Sequence, residues 1–117
     1  MISKDIKKDK LIIKNKNEYI FIPLNHIFFI ETVDKKTLIH TKSNSYLIMK
    51  SLSEVQKELP YDFIRVHRSF IINKEKINKI VEIGNKAFEI KFYDTNKIAL
   101  MSRNKFYELK NNFITFK

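Results

Sequence analysis

A chain of 117 residues holds one domain's worth of core, and 44% hydrophobic content with 10 Phe and 5 Tyr supplies it, which excludes disorder over most of the length. With no Cys and a single Gly, disulfide scaffolds, thiolate metal sites, cysteine nucleophiles and the glycine-rich phosphate loops of nucleotide enzymes are all excluded. Lys and Arg number 23 against 13 Asp and Glu, a formal net charge of +10, so a polyanion is the expected partner: nucleic acid first, an anionic membrane surface second, with a Lys-rich coding bias as the bland alternative.

Residues 1–9 are dominated by Lys and Asp without periodicity and are expected to form a flexible arm ahead of a domain at 10–117. Leu11–Lys14 and Glu18–Ile22 are β-prone runs around the polar turn Asn15–Lys16–Asn17, a hairpin pattern. After Pro23, His26–Glu31 is apolar through its middle and reads as a strand buried on both faces. The polar stretch Thr32–Lys36 then connects to a strand at Thr37–Lys42, and Lys42–Ser45 turns into another at Tyr46–Met49. Ser51 and Glu54 have capping-box spacing ahead of Leu52, Val55 and Leu59 on one face, and Pro60 ends that short helix. Phe63–His67 alternates as a strand, whereas Arg68–Asn73 is ambiguous between strand and helical turn. Lys79–Ile83 and Ala87–Tyr93 flank Gly84–Asn85 as a second hairpin, and Asp94–Asn96 turns into Lys97–Met101. Ser102 is placed to cap a closing helix with Phe106, Leu109 and Phe113 on one face. The pattern is mostly β: packed antiparallel sheets of eight to ten strands with two short helices.

Catalytic chemistry finds little support. His26, His40 and His67 stand apart without metal-ligand spacing, no G-x-S-x-G elbow occurs, and the carboxylates read as solvated charges, so no metal, cofactor or enzymatic role is expected. No apolar run is long enough for a signal peptide or a membrane span, which points to a cytoplasmic protein without membrane insertion. Binding chemistry is better supplied. The three Arg are Arg65, Arg68 and Arg103. Their rigid forks can grip phosphate or read guanine, although Arg65 could simply pair a carboxylate such as Asp62. Ser102–Arg103–Asn104–Lys105 would occupy a helix start, where a basic sequence makes sense if a phosphate docks.

Phe63–Ile64–Arg65–Val66–His67–Arg68–Ser69–Phe70–Ile71–Ile72–Asn73, followed by Ile77, resembles the signature of the LytTR DNA-binding family of bacterial transcription regulators. Ile27–Glu31 and Thr37–Thr41 resemble that family's early strands, Leu52–Val55 with Leu59 its short helix, and Met101–Arg103 with Phe106 and Leu109 its C-terminal element. The resemblance spans about residues 10–113. It implies an elongated sandwich of about ten strands that reads DNA with loops in successive major grooves. The family's base-contacting positions then fall on Lys35 and Lys36, on Arg68 and on Arg103. His67 and Ser102 are further contact candidates, although His67 is slightly favoured as a hydrogen-bonded structural residue and Asn73 as a cap of backbone groups. Phe63, Val66, Phe70 and Ile72 are assigned to the core.

The expected function is sequence-specific binding of double-stranded DNA for transcriptional regulation, with Lys74, Lys76, Lys79, Lys97, Asn104 and Lys105 on phosphates. Promoter DNA with repeated sites is the partner, and a homodimer on DNA is a further expectation. Family members usually carry a receiver or sensor domain, so the chain is expected to be a stand-alone regulator or an excised domain. The rival is a single-stranded RNA-binding or ribosome-associated module, which needs several solvent-facing rings on one sheet. A charged interaction domain would instead bind any polyanion alike.

Overall fold

The computed structural model describes residues 8–84 and 87–116, so most of the N-terminal arm and Asn85 of the second hairpin turn lie outside the described residues. The order is β1 (Lys10–Asn15), β2 (Glu18–Pro23), a 3-10 turn (Leu24–His26), β3 (Ile27–Val33), β4 (Lys36–Thr41), β5 (Ser45–Ile48), α1 (Leu52–Glu58), β6 (Phe63–His67), β7 (Phe70–Asn73), a 3-10 turn (Lys74–Lys76), β8 (Ile77–Glu82), β9 (Ala87–Phe92), β10 (Ile98–Ser102) and α2 (Arg103–Lys110). Every strand pairing is antiparallel, in a β1-β2 hairpin, a sheet ordered β10-β9-β8 and a central sheet ordered β5-β4-β3-β7-β6. The mostly-β, two-helix expectation therefore holds, and the ambiguous segment after Arg68 resolves into strand β7.

The central sheet is covered on both sides. One face packs Ile27, Ile30, Ile39, Phe63 and Ile71 against Ile13 and Ile22 of the hairpin and Leu52 of α1. The other packs Phe28, Phe29, Val66 and Ile72 against Phe88, Ile90, Phe92, Ala99 and Met101 of the second sheet, with Leu109 of α2 closing the layer. This is why β3 is apolar without alternation: Ile27 to Ile30 are all buried. A bulge between Ile27 and Phe29 breaks the alternation locally and turns two successive rings to one side. Both meet Phe92, Phe28 edge-on at 5.9 Å and Phe29 stacked at 5.3 Å, while the His40 ring stacks on Phe29 at 4.4 Å.

Local chemistry sets the connections. Lys16 takes the left-handed backbone at the first hairpin. The expected longer connection at 32–36 is instead a two-residue turn: Thr32 and Val33 stay in β3, and Asp34 and Lys35 both adopt positive φ, the pattern of a type I′ hairpin. Strand pairing wins here because the Thr32 N–H donates to the Ser69 carbonyl at 2.9 Å, extending β3 past the end of β7. The capping box of α1 is complete, with the Glu54 N–H donating to Ser51 Oγ and the Ser51 N–H to Glu54 Oε1, each at 3.1 Å. Ser102 caps α2 through the Lys105 N–H. That helix ends at Lys110, so Phe113 lies beyond it and is exposed, against the expected three-residue apolar face. Phe70 is only partly buried, a correction to its assignment as full core. Asn73 is the cap expected of it: its Oδ1 accepts from the Glu75 N–H and its Nδ2 donates to the Ile27 carbonyl, tying β7 to the start of β3.

Truncating Phe29 removes the ring that Phe92 and His40 stack against, with little room for collapse. Phe29→Ala is expected to destabilise the domain by about 3–5 kcal/mol and Phe70→Ala by distinctly less. Urea denaturation of the two variants measures the difference.

Candidate nucleic-acid interface

Two turns lie at the same end of the central sheet. β3 runs into the Asp34–Lys35 turn, and β7, antiparallel to β3 with Glu31 opposite Phe70, starts from the Arg68–Ser69 turn. Lys35, Lys36 and Arg68 are all exposed there. The Thr32 N–H to Ser69 carbonyl bond links the two turns directly.

The backbone of the Arg68 turn is held from several directions. Arg65 Nε donates to the His67 carbonyl at 2.9 Å, and Arg65 Nη2 donates to the Arg68 carbonyl. The Ser69 N–H donates to His67 Nδ1 at 3.1 Å. A bulge between Arg65 and His67 re-aims the end of β6, so the His67 ring meets Phe70 edge-on at 5.7 Å, and Phe70 in turn lies 6.0 Å from Phe29. A file of rings thus runs from the core to the turn. The remaining Arg65 donors reach α1, where Nη1 donates to Gln56 Oε1 at 3.2 Å and to Ser53 Oγ at 3.5 Å. Arg65 does not pair Asp62, whose carboxylate instead lies 3.9 Å from Lys74 Nζ. The sequence signal for this role was the choice of Arg over Lys on a strand position facing α1.

Arg103 opens α2, whose first turn carries no acidic residue. Its guanidinium lies 3.6 Å from Glu82 and over the Tyr107 ring at 5.7 Å, with both charges of the pair substantially exposed, where such contacts contribute little. Asn104 is exposed, and Lys105 Nζ pairs with Glu108 at 3.2 Å. α2 packs against β10, β9 and β6, the last being the strand that leads to the Arg68 turn.

The other expected phosphate ligands lie elsewhere. Lys74 and Lys76 follow β7 at the end of the sheet opposite the Arg68 turn, Lys74 beside Asp62 and the Tyr61 ring, Lys76 over the Phe28 ring. Lys97 is a bracket for the β4–β5 turn: its Nζ donates to the Thr41 and Asn44 carbonyls at 2.9 and 3.0 Å and to Ser45 Oγ at 3.3 Å. Lys79 is exposed on β8. The structure therefore brings Lys35, Lys36, Arg68 and His67 together at one sheet end, sets Ser102 to Lys105 at the start of α2, and places Lys74, Lys76 and Lys97 away from both.

Two histidines are biased toward the neutral form. Burial lowers the His40 pKa below its ordinary 6.5 although Glu31 Oε2 lies 2.6 Å from Nε2 and opposes the shift; the Lys97 ammonium adds to the lowering. The neutral ring with its proton on Nε2 fits both partners, since Nδ1 then accepts from Ser45 Oγ at 2.8 Å. Burial also lowers His67, reinforced by the charges of Arg68 and Arg65. Because both folded values lie below the unfolded one, the unfolded chain binds more protons, and stability is fully present above about pH 6.5 and falls as pH drops through the lowered values. Urea midpoints are expected to decline from pH 7 to pH 5, and His67→Gln to make that decline shallower.

A match to the LytTr DNA-binding domain covers residues 17–114. The transcriptional regulatory protein YpdB of Escherichia coli is 32% identical over 97 residues, 81% of this chain and 40% of the relative. The sensory transduction protein LytT of Bacillus subtilis is 33% identical over 102 residues, 86% of this chain and 42% of the relative. The chain thus spans about two fifths of the length of these relatives. Among solved structures, the LytTr DNA-binding domain of a methyl-accepting/DNA response regulator from Bacillus cereus superposes with a TM-score of 0.76 at 26% identity, covering 90% of this chain and 96% of that one. With the family match over most of its length and the same fold in a solved member, this chain belongs to the LytTr DNA-binding domain family.

Proposed function

We propose that the domain reads double-stranded DNA in the major groove through Arg68, Arg103 and the Lys35–Lys36 turn, and regulates transcription by binding, without catalysis. The observation that carries this is the Arg68 turn: its backbone is tied down by Arg65, His67 and Thr32 while its guanidinium stands exposed, the arrangement that makes a bidentate fork specific. The longest dimension, 48 Å, exceeds the roughly 34 Å repeat of B-DNA, so the domain is long enough to span successive major grooves. Asn104, Lys105 and the amides opening α2 take a phosphate, as does Lys79; Lys97 stays a structural bracket, and Lys74 and Lys76 serve at most a distal phosphate. The functional unit is the domain at 10–117, acting in the cytoplasm on repeated sites as a homodimer on DNA, with a receiver or sensor domain as its controlling partner. The RNA-binding alternative finds little footing: Phe28, Phe29, Phe63, Phe88 and Phe92 are buried, and among the described residues only Tyr19 and Phe21 of the exposed rings share one face of a strand.

Substituting Lys keeps charge but removes the fork. Arg68→Lys and Arg103→Lys are each expected to lose about 1–3 kcal/mol on a selected cognate duplex and almost nothing on random duplex. Competition titrations at fixed salt check this, and equal losses on both duplexes would reduce the two arginines to phosphate clamps. Lys105→Ala is expected to make the log affinity against log salt slope shallower by about one, whereas Lys97→Ala lowers the unfolding midpoint and leaves the slope in place.

A further inference from the structure

We infer that Arg65 is the positioning residue for base readout: it never touches DNA, and it sets the direction in which Arg68 points by clamping the turn that carries it to helix α1. The inference rests on the reading of Arg68 as a base contact. Its grounds are geometric. Arg65 is half-buried on β6, and its three nitrogens diverge to three places: Nε to the His67 carbonyl, Nη2 to the Arg68 carbonyl and Nη1 to Gln56 and Ser53 of α1. Gln56 and Ser53 are three residues apart and so share one helical face. The two clamped carbonyls flank the Arg68 α-carbon, one on the peptide before it and one on its own. Holding both carbonyls restrains the Arg68 backbone and so fixes the direction of its Cα–Cβ bond, the point from which the fork extends.

The backbone groups of Ser69, next in the turn, are already committed. The Ser69 N–H is taken by His67 Nδ1 and the Ser69 carbonyl accepts from Thr32. Arg65 therefore supplies the restraint on the side of the turn that faces α1, since β6 is the edge of the central sheet and, among the described residues, pairs with β7 alone. Lys is not equivalent here: an ammonium gathers acceptors around one point, as Lys97 does, whereas those of Arg65 are spread over two successive peptides and helix α1, each met by a different nitrogen. In a chain that otherwise prefers Lys, this accounts for an arginine that the base-reading positions do not need.

The test uses a duplex selected from a random library, its single-base variants, and random duplex, titrated with wild type, Arg65→Lys, Arg68→Lys and the double variant. Arg65→Lys should lose about tenfold on the selected duplex, within the range for one bidentate contact, and less than about twofold on random duplex. Its relaxed base preference should fall on the same base pairs that Arg68→Lys relaxes, and the double variant should bind no more weakly than Arg68→Lys alone, since both remove one contact. Gln56→Ala, at an exposed helix position, should relax the same base pairs by a smaller factor with an unchanged unfolding midpoint, and it carries the test if Arg65→Lys does not fold. Should Arg68→Lys relax a base preference while Arg65→Lys and Gln56→Ala leave it intact, or weaken every position equally, the positioning role is wrong and the reading of Arg68 stands. Should Arg68→Lys relax nothing, the reading fails and the inference with it.

Discussion

Phe28 and Phe29 must point to the same side of a strand whose ordinary geometry would send them to opposite sides, and the bulge that allows this organises the molecule. It brings both rings against Phe92 of the second sheet and so fixes where that sheet lies on the central one. Edge-on and stacked ring pairs add roughly 0.5–1.5 kcal/mol each beyond the area they bury, which favours a single register over a sliding apolar contact. From Phe29 the contacts continue outward in two directions, through His40 to the β4–β5 turn bracketed by Lys97, and through Phe70 to His67 at the Arg68 turn. The exposed turns are thus extensions of the core.

On the proposed reading, that arrangement lets a mostly-β domain be specific without a recognition helix. A long cationic side chain on a loose loop gains attraction to any phosphate, and attraction alone discriminates nothing. Specificity needs a fork held at a defined angle, and on the proposed reading the Arg68 turn provides it, its carbonyls and the Ser69 amide being occupied from both sides. The lysines divide accordingly. Lys97 is spent on carbonyls and acts as structure, with burial lowering its pKa, while Lys35 and Lys36 stand in solvent at the sheet end. A net charge of +10 is therefore not one uniform field, because some of its members hold the protein together.

Much of this was legible in the sequence where the chemistry is local. The capping box at Ser51 and Glu54, the Ser102 cap and the unbroken apolar run of β3 each follow from contacts within a few residues or from two-sided burial. Less legible were features decided by a distant partner. The Asp34–Lys35 turn is tight because Thr32 pairs with Ser69 across the sheet, and strand β7 forms because β3 and β6 flank it, whereas its own residues fit a helical turn equally well. Lys97 reads in the sequence as one more phosphate ligand because the acceptors that occupy it lie more than fifty residues away. Arg65 showed its chemistry but not its partners: the nearby Asp62 was the obvious guess, and the contact with α1 depends on how that helix packs beside β6, which has no signature in residue type.

The central claim is that exposed turns at the sheet end and at the start of α2 read bases in more than one major groove. Methylation interference on the selected duplex tests it most directly, because methyl groups on guanine N7 obstruct the major groove and those on adenine N3 the minor groove. The account predicts interference at guanine N7 in at least two clusters about 10 base pairs apart, with adenine N3 methylation tolerated. Interference confined to adenine N3, or binding indifferent to both, would contradict it.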